Sequence, residues 1–372
     1  MPQTRLFLEQ ALRLAEQSLY LTAPNPHVGC VLTSRQGQVI GQGHTQRAGQ
    51  AHAEIMALRD AAAQGASPQG ATAYVTLEPC AHQGRTGPCC DALIAAGIEK
   101  VVCLHTDPNP LVAGQGLERL RAAGVAVVLW PETDPLTIQA LELNIGFFSR
   151  MTRQLPWVRM KMAASLDGHT ALPNGLSQWI TSSAARTDGH AWRARACAVL
   201  TGIGTVLADN PKLDVRLVNT PRQPTLVVVD SRLETPLDAA LFIAGRALLI
   251  YAAVQNDAKK LALEARGAQV IYRPGATPES GSKVDLKAML HDLAQREINE
   301  LHVEAGFKLN GSFIREGLVD EFLIYLAPKL LGAGAGMAHF GPLATLDDAV
   351  QLNIQSLTQI GPDVRLVARW VK

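Results

Sequence analysis

Little in this sequence is lopsided, and each shortage excludes something. Across 372 residues, 34 Lys and Arg nearly balance 33 Asp and Glu, for a formal charge of +1. There is no basic block to follow a phosphate backbone over a wide surface. Aromatic residues make up 5% of the chain, with five Trp and five Tyr scattered along it, so no stacking face for single-stranded nucleic acid is visible. Six cysteines are too sparse for a disulfide scaffold at this length. They fit reduced thiols, where a tight cluster points to metal or catalysis. The longest apolar stretch, Ala239 to Val254, is broken by Gly245 and Arg246 and is too short to span a bilayer. The opening MPQTRLFLEQALRLAEQ carries Glu9 and Glu16 inside its apolar pattern, which reads as an amphipathic helix and not a signal peptide. The expectation is a soluble cytoplasmic protein with no nucleic-acid and no membrane partner.

The length exceeds what one hydrophobic core usually organises. A content of 47% hydrophobic and 18% charged residues is ordinary globular usage. Short apolar runs alternate with helical periodicity, the pattern of sheets covered by helices. Runs at 28–32 and 38–41 around Gln36-Gly37 predict a hairpin. A helix at 52–64, a strand at 71–77, a helix at 89–96 and a strand at 100–104 follow. Then come a helix at 114–123, a strand at 125–130 and one helix at about 135–150. Beyond a seam at Pro131 to Pro156 the pattern restarts. Strands are predicted at 157–163, 198–201, 225–230, 247–251, 269–271, 300–304 and 321–327, and helices at 182–195, 257–266, 285–296 and 309–316. The division falls near residue 150, giving domains over 1–150 and 151–372. A Gly/Pro/Ser-rich loop, Gly275–Lys283, carries no evident chemistry.

The first domain holds a metal-binding pattern. His52-Ala-Glu54 opens a helix, Pro79-Cys80 ends a strand, and Cys89 opens the next helix. One imidazole and two thiolates leave a fourth tetrahedral position for water, as in catalytic zinc sites. Helix N-termini favour thiolate over thiol. Glu54, two residues beyond His52, can reach that water without being a ligand. Zinc nucleobase deaminases share H-x-E followed by P-C-x-x-C; here eight residues separate the two cysteines. Cys90 competes with Cys89 as a ligand, whereas Cys30 and Cys103 sit in strand-like runs that suit core packing.

These segments, with Pro24-Asn25-Pro26-His27-Val28-Gly29-Cys30 and Pro79-Cys80-Ala-His-Gln-Gly-Arg-Thr-Gly-Pro-Cys89, resemble the deaminase half of the bifunctional riboflavin-biosynthesis deaminase/reductases. Ala81 and Gly87 depart from the commonest spelling of the family. The resemblance implies a cytidine-deaminase-like α/β/α domain and hydrolytic deamination of 2,5-diamino-6-(5-phosphoribosylamino)pyrimidin-4(3H)-one. It further implies one Zn2+ per chain on His52, Cys80 and Cys89, with Glu54 as the catalytic acid–base. Asn25, His44, Arg85, Asp107 and Asn109 would line its substrate pocket.

The second domain carries three clusters. They are Lys161 to Gly168, then Ser177 through Arg193 and Gly202-Ile-Gly204-Thr205 to Arg216, then His302-Val-Glu304-Ala-Gly306 to Gly311-Ser312. Gly306-x4-Gly311-Ser312 lacks the lysine of a P-loop, and Gly202-x-Gly204 lacks the third glycine of a dinucleotide fingerprint. Glycines at strand-to-helix turns still suit a pyrophosphate at a helix N-terminus. Together the clusters resemble the reductase half of the same family, which implies a dihydrofolate-reductase-like α/β fold and NADPH-dependent reduction of the ribosyl side chain to ribityl. Cofactor contacts would then fall on Ala163, Trp179, Thr205, Asp209, Ser231, Gly306, Phe307, Lys308, Leu309, Asn310, Gly311 and Ser312. Substrate contacts would fall on Ser177, Arg193, Leu213, Arg216 and Glu304. Ala305 and Cys197 depart from the family's usual residues. Arg193 and Arg216 suit the substrate phosphate, and Ser231 with Arg232 suit the 2′-phosphate of NADPH. Lys161 and Asp209 are candidate polar groups beside the reacting carbon. The family resemblance also implies a homo-oligomer. Two competing readings are a nucleoside or tRNA deaminase with an appended binding domain, which would need a basic or aromatic face, and a zinc-stabilised scaffold, which would need a fourth protein ligand.

Overall fold

The computed structural model describes residues 2–81, 87–110, 112–277 and 281–371. The chain parts into two units, Met1–Gln154 and Leu155–Lys372. Gln154 ends the last helix of the first unit in the left-handed region (φ 57), where a helix stops readily.

In the first unit, strands Val39–His44, Gly29–Thr33, Thr72–Val75, Lys100–Cys103 and Ala126–Leu129 lie in that order in one sheet. The first three pair antiparallel and the last three parallel. Strand side chains alternate between faces, and the core follows that alternation. Cys30, Leu32, Ala73, Val75 and Val101 pack with Ala53, Ala57 and Ala61 of helix Ala53–Ala63 and with Leu93, Leu120 and Phe147. On the other face Val31, Tyr74 and Val102 pack with Leu8, Ala11 and Leu12 of helix Pro2–Glu16 and with Leu136 and Ala140. The result is three layers, helix–sheet–helix.

The single helix predicted at 135–150 is two, Pro135–Leu143 and Ile145–Arg153. Buried Asn144 breaks it. Its Oδ1 accepts from His27 N at 2.7 Å and its Nδ2 donates to His27 O at 2.9 Å, so the side chain takes the place of a neighbouring strand.

The second unit is built on nine strands in the order Ala268–Tyr272, Leu248–Ala252, Thr225–Val229, Ala198–Gly202, Glu300–Val303, Trp157–Ser165, Glu321–Ala327, Asp363–Trp370 and Leu352–Ile360. The first seven run parallel. One face packs on Met289, Leu290 and Leu293 of helix Leu286–Gln295 and on Phe313 of helix Phe307–Arg315. The other meets Val206 and Leu263 in one cluster and Ala185 and Trp192 of helix Ser183–Arg195 in another.

The final hairpin, Leu352–Ile360 with Asp363–Trp370, and helix Ile203–Asp209 lie outside the elements that the sequence pattern predicts. A bulge between Ile354 and Ser356 shifts the hairpin register and breaks the two-residue alternation by which a strand is read. Also unforeseen was Arg159, fully buried between Glu300 (2.6 Å) and Glu321 (2.5 Å) and stacked 4.5 Å from the Trp192 ring. Arg195 and Arg369 close that network on Glu300 and Glu321, each at 3.0 Å.

Candidate active sites

Strand register gathers the chemistry of the first unit at one sheet edge. Gly29 pairs with His44, Cys30 with Val75, and Val75 with Cys103. The segments carrying Asn25, His52, Cys80 and Asp107 therefore all leave the sheet from the same side. His52 is the N-cap of helix Ala53–Ala63 and Cys89 is the first residue of helix Cys89–Ala95.

The donor atoms of His52, Cys80 and Cys89 lie within 4.8 Å of one another. His52 Nδ1 stands 3.6 Å from Cys80 Sγ and 3.3 Å from Cys89 Sγ. Tetrahedral zinc, with Zn–S of about 2.3 Å and Zn–N of about 2.0–2.1 Å, requires N···S separations of about 3.6 Å. The donor set and its spacing fit that metal. Cys89 N–H donates to Cys80 Sγ at 3.3 Å. Hydrogen bonding from Cys89, then from His52, pulls the Cys80 thiol down to about 4 against its burial. Glu54 is buried, its carboxyl in hydrogen-bond contact with Cys89; burial first, then the Cys80 charge, push it up to about 7. Cys90 packs in the core, and burial pushes its thiol up to about 11.

Of the pocket residues suggested by resemblance, His44 ends its strand with Nδ1 3.1 Å from Thr45 O, and half-buried Asn25 donates its N–H to Thr22 O. Asp107 is buried and accepts from Asn109 N at 2.8 Å. Arg85 lies outside the described residues.

In the second unit a cavity of about 860 Å3 opens beyond the C-terminal ends of adjacent parallel strands, where open α/β sheets bind ligands. All five substrate candidates line it: Ser177, Arg193, Leu213, Arg216 and Glu304. So do seven cofactor candidates: Ala163, Trp179, Thr205, Asp209, Gly306, Phe307 and Asn310. A second cavity of about 360 Å3 is lined by Ser231, Leu309 and Ser312. Lys308 and Gly311 line neither. A Cβ on Gly311 would meet His339 O at 1.8 Å, so this glycine admits a close backbone approach by the segment before Phe340.

Met160 pairs with Val303, which sets Lys161 beside Glu304 at 3.7 Å. Glu304 accepts from Arg193 Nε at 2.8 Å and Nη2 at 3.0 Å, and His302 Nε2 stands 3.4 Å away. Arg193 first, then Lys161, hold the Glu304 carboxyl well below the usual carboxylate range, against its burial. Arg193 also donates to Asp214 O. It is therefore buried and engaged, whereas Arg216 is half-exposed on Asp214. The two arginines that the sequence treats alike occupy different environments.

Three residues of this region had no signal in the sequence. His190 lines the larger cavity, with Nδ1 accepting from Arg216 N at 3.2 Å. Burial, then Arg193 and Arg216, lower its imidazole to about 4. Arg246 donates to Lys212 O and Leu213 O at 2.8 and 2.9 Å, which holds Leu213 in a left-handed conformation (φ 50). Lys283, from the loop read as featureless, lines the smaller cavity with Ser231; exposed Arg232 does not.

Residues 1–105 match the family described as the cytidine and deoxycytidylate deaminase zinc-binding region, and residues 156–366 match the RibD C-terminal domain. With the geometry above, these matches define the class: a zinc-dependent deaminase and a nucleotide-dependent reductase in one chain. The riboflavin biosynthesis protein RibD of Escherichia coli (strain K12) is 42% identical over 369 residues, covering 98% of each chain. That of Aquifex aeolicus (strain VF5) is 38% identical over 358 residues, covering 96% of each. Among solved structures, RibD of Acinetobacter baumannii is similar with a TM-score of 0.88 at 39% identity, covering 100% of this chain and 99% of that one. A diaminohydroxyphosphoribosylaminopyrimidine deaminase/5-amino-6-(5-phosphoribosylamino)uracil reductase from Thermotoga maritima gives 0.85 at 29% identity, covering 99% of both. The chain belongs to the RibD family, the bifunctional deaminase/reductases of riboflavin biosynthesis. Its deaminase uses zinc and its reductase uses NADPH, on the two folds expected of the family.

Proposed function

We propose that the unit ending at Gln154 hydrolyses the 2-amino group of 2,5-diamino-6-(5-phosphoribosylamino)pyrimidin-4(3H)-one, and that the unit starting at Leu155 reduces the ribosyl side chain of the resulting uracil to ribityl. The observation that carries the first assignment is the convergence of one imidazole and two thiolates, with a buried carboxylate beside them that is not a ligand. His52, Cys80 and Cys89 hold the metal. Bound zinc supplies a water acidified toward neutrality. Glu54 would take the two protons of the attacking water in turn, passing the first to the ring nitrogen and the second to the departing amine, which leaves as ammonia.

In the reductase, NADPH supplies the hydride, and the protein binds and orients. The N–H groups at the start of helix Phe307–Arg315 suit the pyrophosphate. Arg216 reaches the substrate phosphate, while Arg193 holds Glu304, and Glu304 in turn pairs with Lys161 at the reacting end. Ser231 and Lys283 read the 2′-phosphate. A homo-oligomer is supported by the edge strand Leu352–Ile360, which leaves Leu352, Ile354 and Leu357 exposed; sedimentation tests it. Six free cysteines suit the reducing cytoplasm, and among the described residues no helix is long and apolar enough to cross a membrane.

The decisive experiment follows ammonia release on the diaminopyrimidine and then NADPH oxidation in the same sample. Ammonia without subsequent oxidation contradicts the reductase assignment, and oxidation that precedes deamination contradicts the order of reactions.

A further inference from the structure

Glu78 stands two residues before Cys80, with its side chain buried, and is not a metal ligand. Its Oε2 accepts from Asp107 N and Gly114 N, both at 2.9 Å. Its Oε1 accepts from Gly116 N at 2.8 Å and Leu117 N at 3.2 Å. Helix Gln115–Ala122 starts on Gly114, which has no side chain to cap it. The Glu78 carboxylate, remote in sequence, takes over that capping at the positive end of the helix. Glu78 N–H donates in turn to His105 O at 2.8 Å. The fit leaves no slack, since a Cβ on Gly116 would come within 2.0 Å of Pro79 O.

We infer that Glu78 is a positioning residue of the deaminase, fixing the segment that carries Asp107 and Asn109 against the segment after strand Thr72–Val75 that carries Cys80. The inference rests on the reading that Asp107 and Asn109 face the substrate. One carboxylate binds backbone from 107 to 117 in four places, so the substrate-side wall and the metal ligand share a single fixed point. In Glu78→Gln one acceptor oxygen becomes an NH2 donor facing N–H groups, and two of the four bonds are lost.

The test uses the full-length zinc-loaded enzyme. Glu78→Gln should raise the deaminase KM about tenfold to a hundredfold, the scale of a displaced binding group. Zinc stoichiometry, kcat and the reductase parameters should hold. Amide hydrogen exchange should quicken at 107, 114, 116 and 117. Loss of zinc, or a lowered kcat at unchanged KM, would show that Glu78 only supports Cys80 and would overturn the inference. Asn109→Ala separates the two layers. If it leaves KM unchanged, the substrate reading of the segment fails; if it raises KM while Glu78→Gln does not, the positioning role fails. Should Glu78→Gln not fold, exchange in the unsubstituted enzyme still decides. Those four amides must be protected, and exchange at the rate of an open loop refutes the anchor.

Discussion

Arg193 and Arg216 line one cavity, and replacing them should break different things. The Arg193 guanidinium is buried and makes a two-pronged ion pair with Glu304. Arg193→Met leaves that carboxylate buried beside only Lys161 and His302. Removing one partner of a buried pair costs about 3–5 kcal/mol. At about 2–4 °C per kcal/mol for a unit of this size, melting of the reductase unit should fall by roughly 6–20 °C. Arg193→Met with Glu304→Leu removes both charges and should recover much of the loss. Arg216→Ala removes a half-exposed ion pair, a change of less than about 1 kcal/mol, and melting should hardly move. A charge-assisted bond to the substrate phosphate contributes roughly 1.5–3 kcal/mol, so KM for the phosphorylated pyrimidine should rise about ten- to a hundredfold. Calorimetry of the intact chain and NADPH oxidation on pre-deaminated substrate give both numbers. If Arg193→Met melts within about 2 °C of the unsubstituted enzyme and raises KM as Arg216→Ala does, Arg193 is a phosphate ligand and its assignment to Glu304 is wrong.

Cys80→Ser and Cys89→Ser should each release most of the zinc and abolish deamination while reductase activity on pre-deaminated substrate continues; zinc retained by Cys89→Ser but lost by Cys90→Ser would transfer the ligand role to Cys90. Glu54→Gln should keep its zinc and lose about 10²- to 10⁴-fold in deamination rate, and near-normal ammonia release would remove the proton-carrying role. Ser231→Ala with Lys283→Ala should weaken NADPH binding about ten- to a hundredfold and leave NADH untouched by fluorescence titration, whereas Arg232→Ala should change the binding of neither cofactor; equal loss of both cofactors in the double variant would disprove the 2′-phosphate assignment. His190 has a folded pKa of about 4, below its ordinary value because of burial and then the two arginines. The unfolded chain therefore binds more protons between about pH 6.5 and 4, so His190 makes stability fall as pH drops through that window. His190→Gln should flatten this part of the melting-versus-pH curve, and an unchanged slope would contradict the assignment.

What the sequence made legible followed from local pattern. His52 with Glu54 and Cys89 sit at the two helix starts where local pattern places them, whereas Cys80, expected at a strand end, lies in the irregular segment beyond strand Thr72–Val75; short apolar runs marked most strands of both sheets. Failures came where a distant partner decides. Asn144 looks like an ordinary helix residue until His27 is set against it. Arg193 reads, like Arg216, as a cation for the substrate phosphate, yet Glu304, more than a hundred positions away, claims it. Lys283 lies in a loop with no periodicity and gains meaning only because its neighbour Val284 donates a hydrogen bond to Ser231 Oγ. The last hairpin was missed for a local reason, one inserted residue that shifts the alternation.

The place of strand Glu300–Val303 between Trp157–Ser165 and Ala198–Gly202 has a consequence for biosynthesis. The two flanking strands leave the ribosome early, and the strand that joins them follows only after about 100 further residues, which at about 5–20 residues per second is roughly 5–20 s. For that interval the nascent reductase holds a slot in its sheet, two open edges rich in Val, Leu and Met that an extended segment of another chain can fill. The Arg159 side chain waits there without Glu300 or Glu321, both of which come later in the chain, and a charge without its counterions disfavours closing the slot with an apolar strand. Glu300 thus gives the correct strand an advantage that hydrophobicity alone would not.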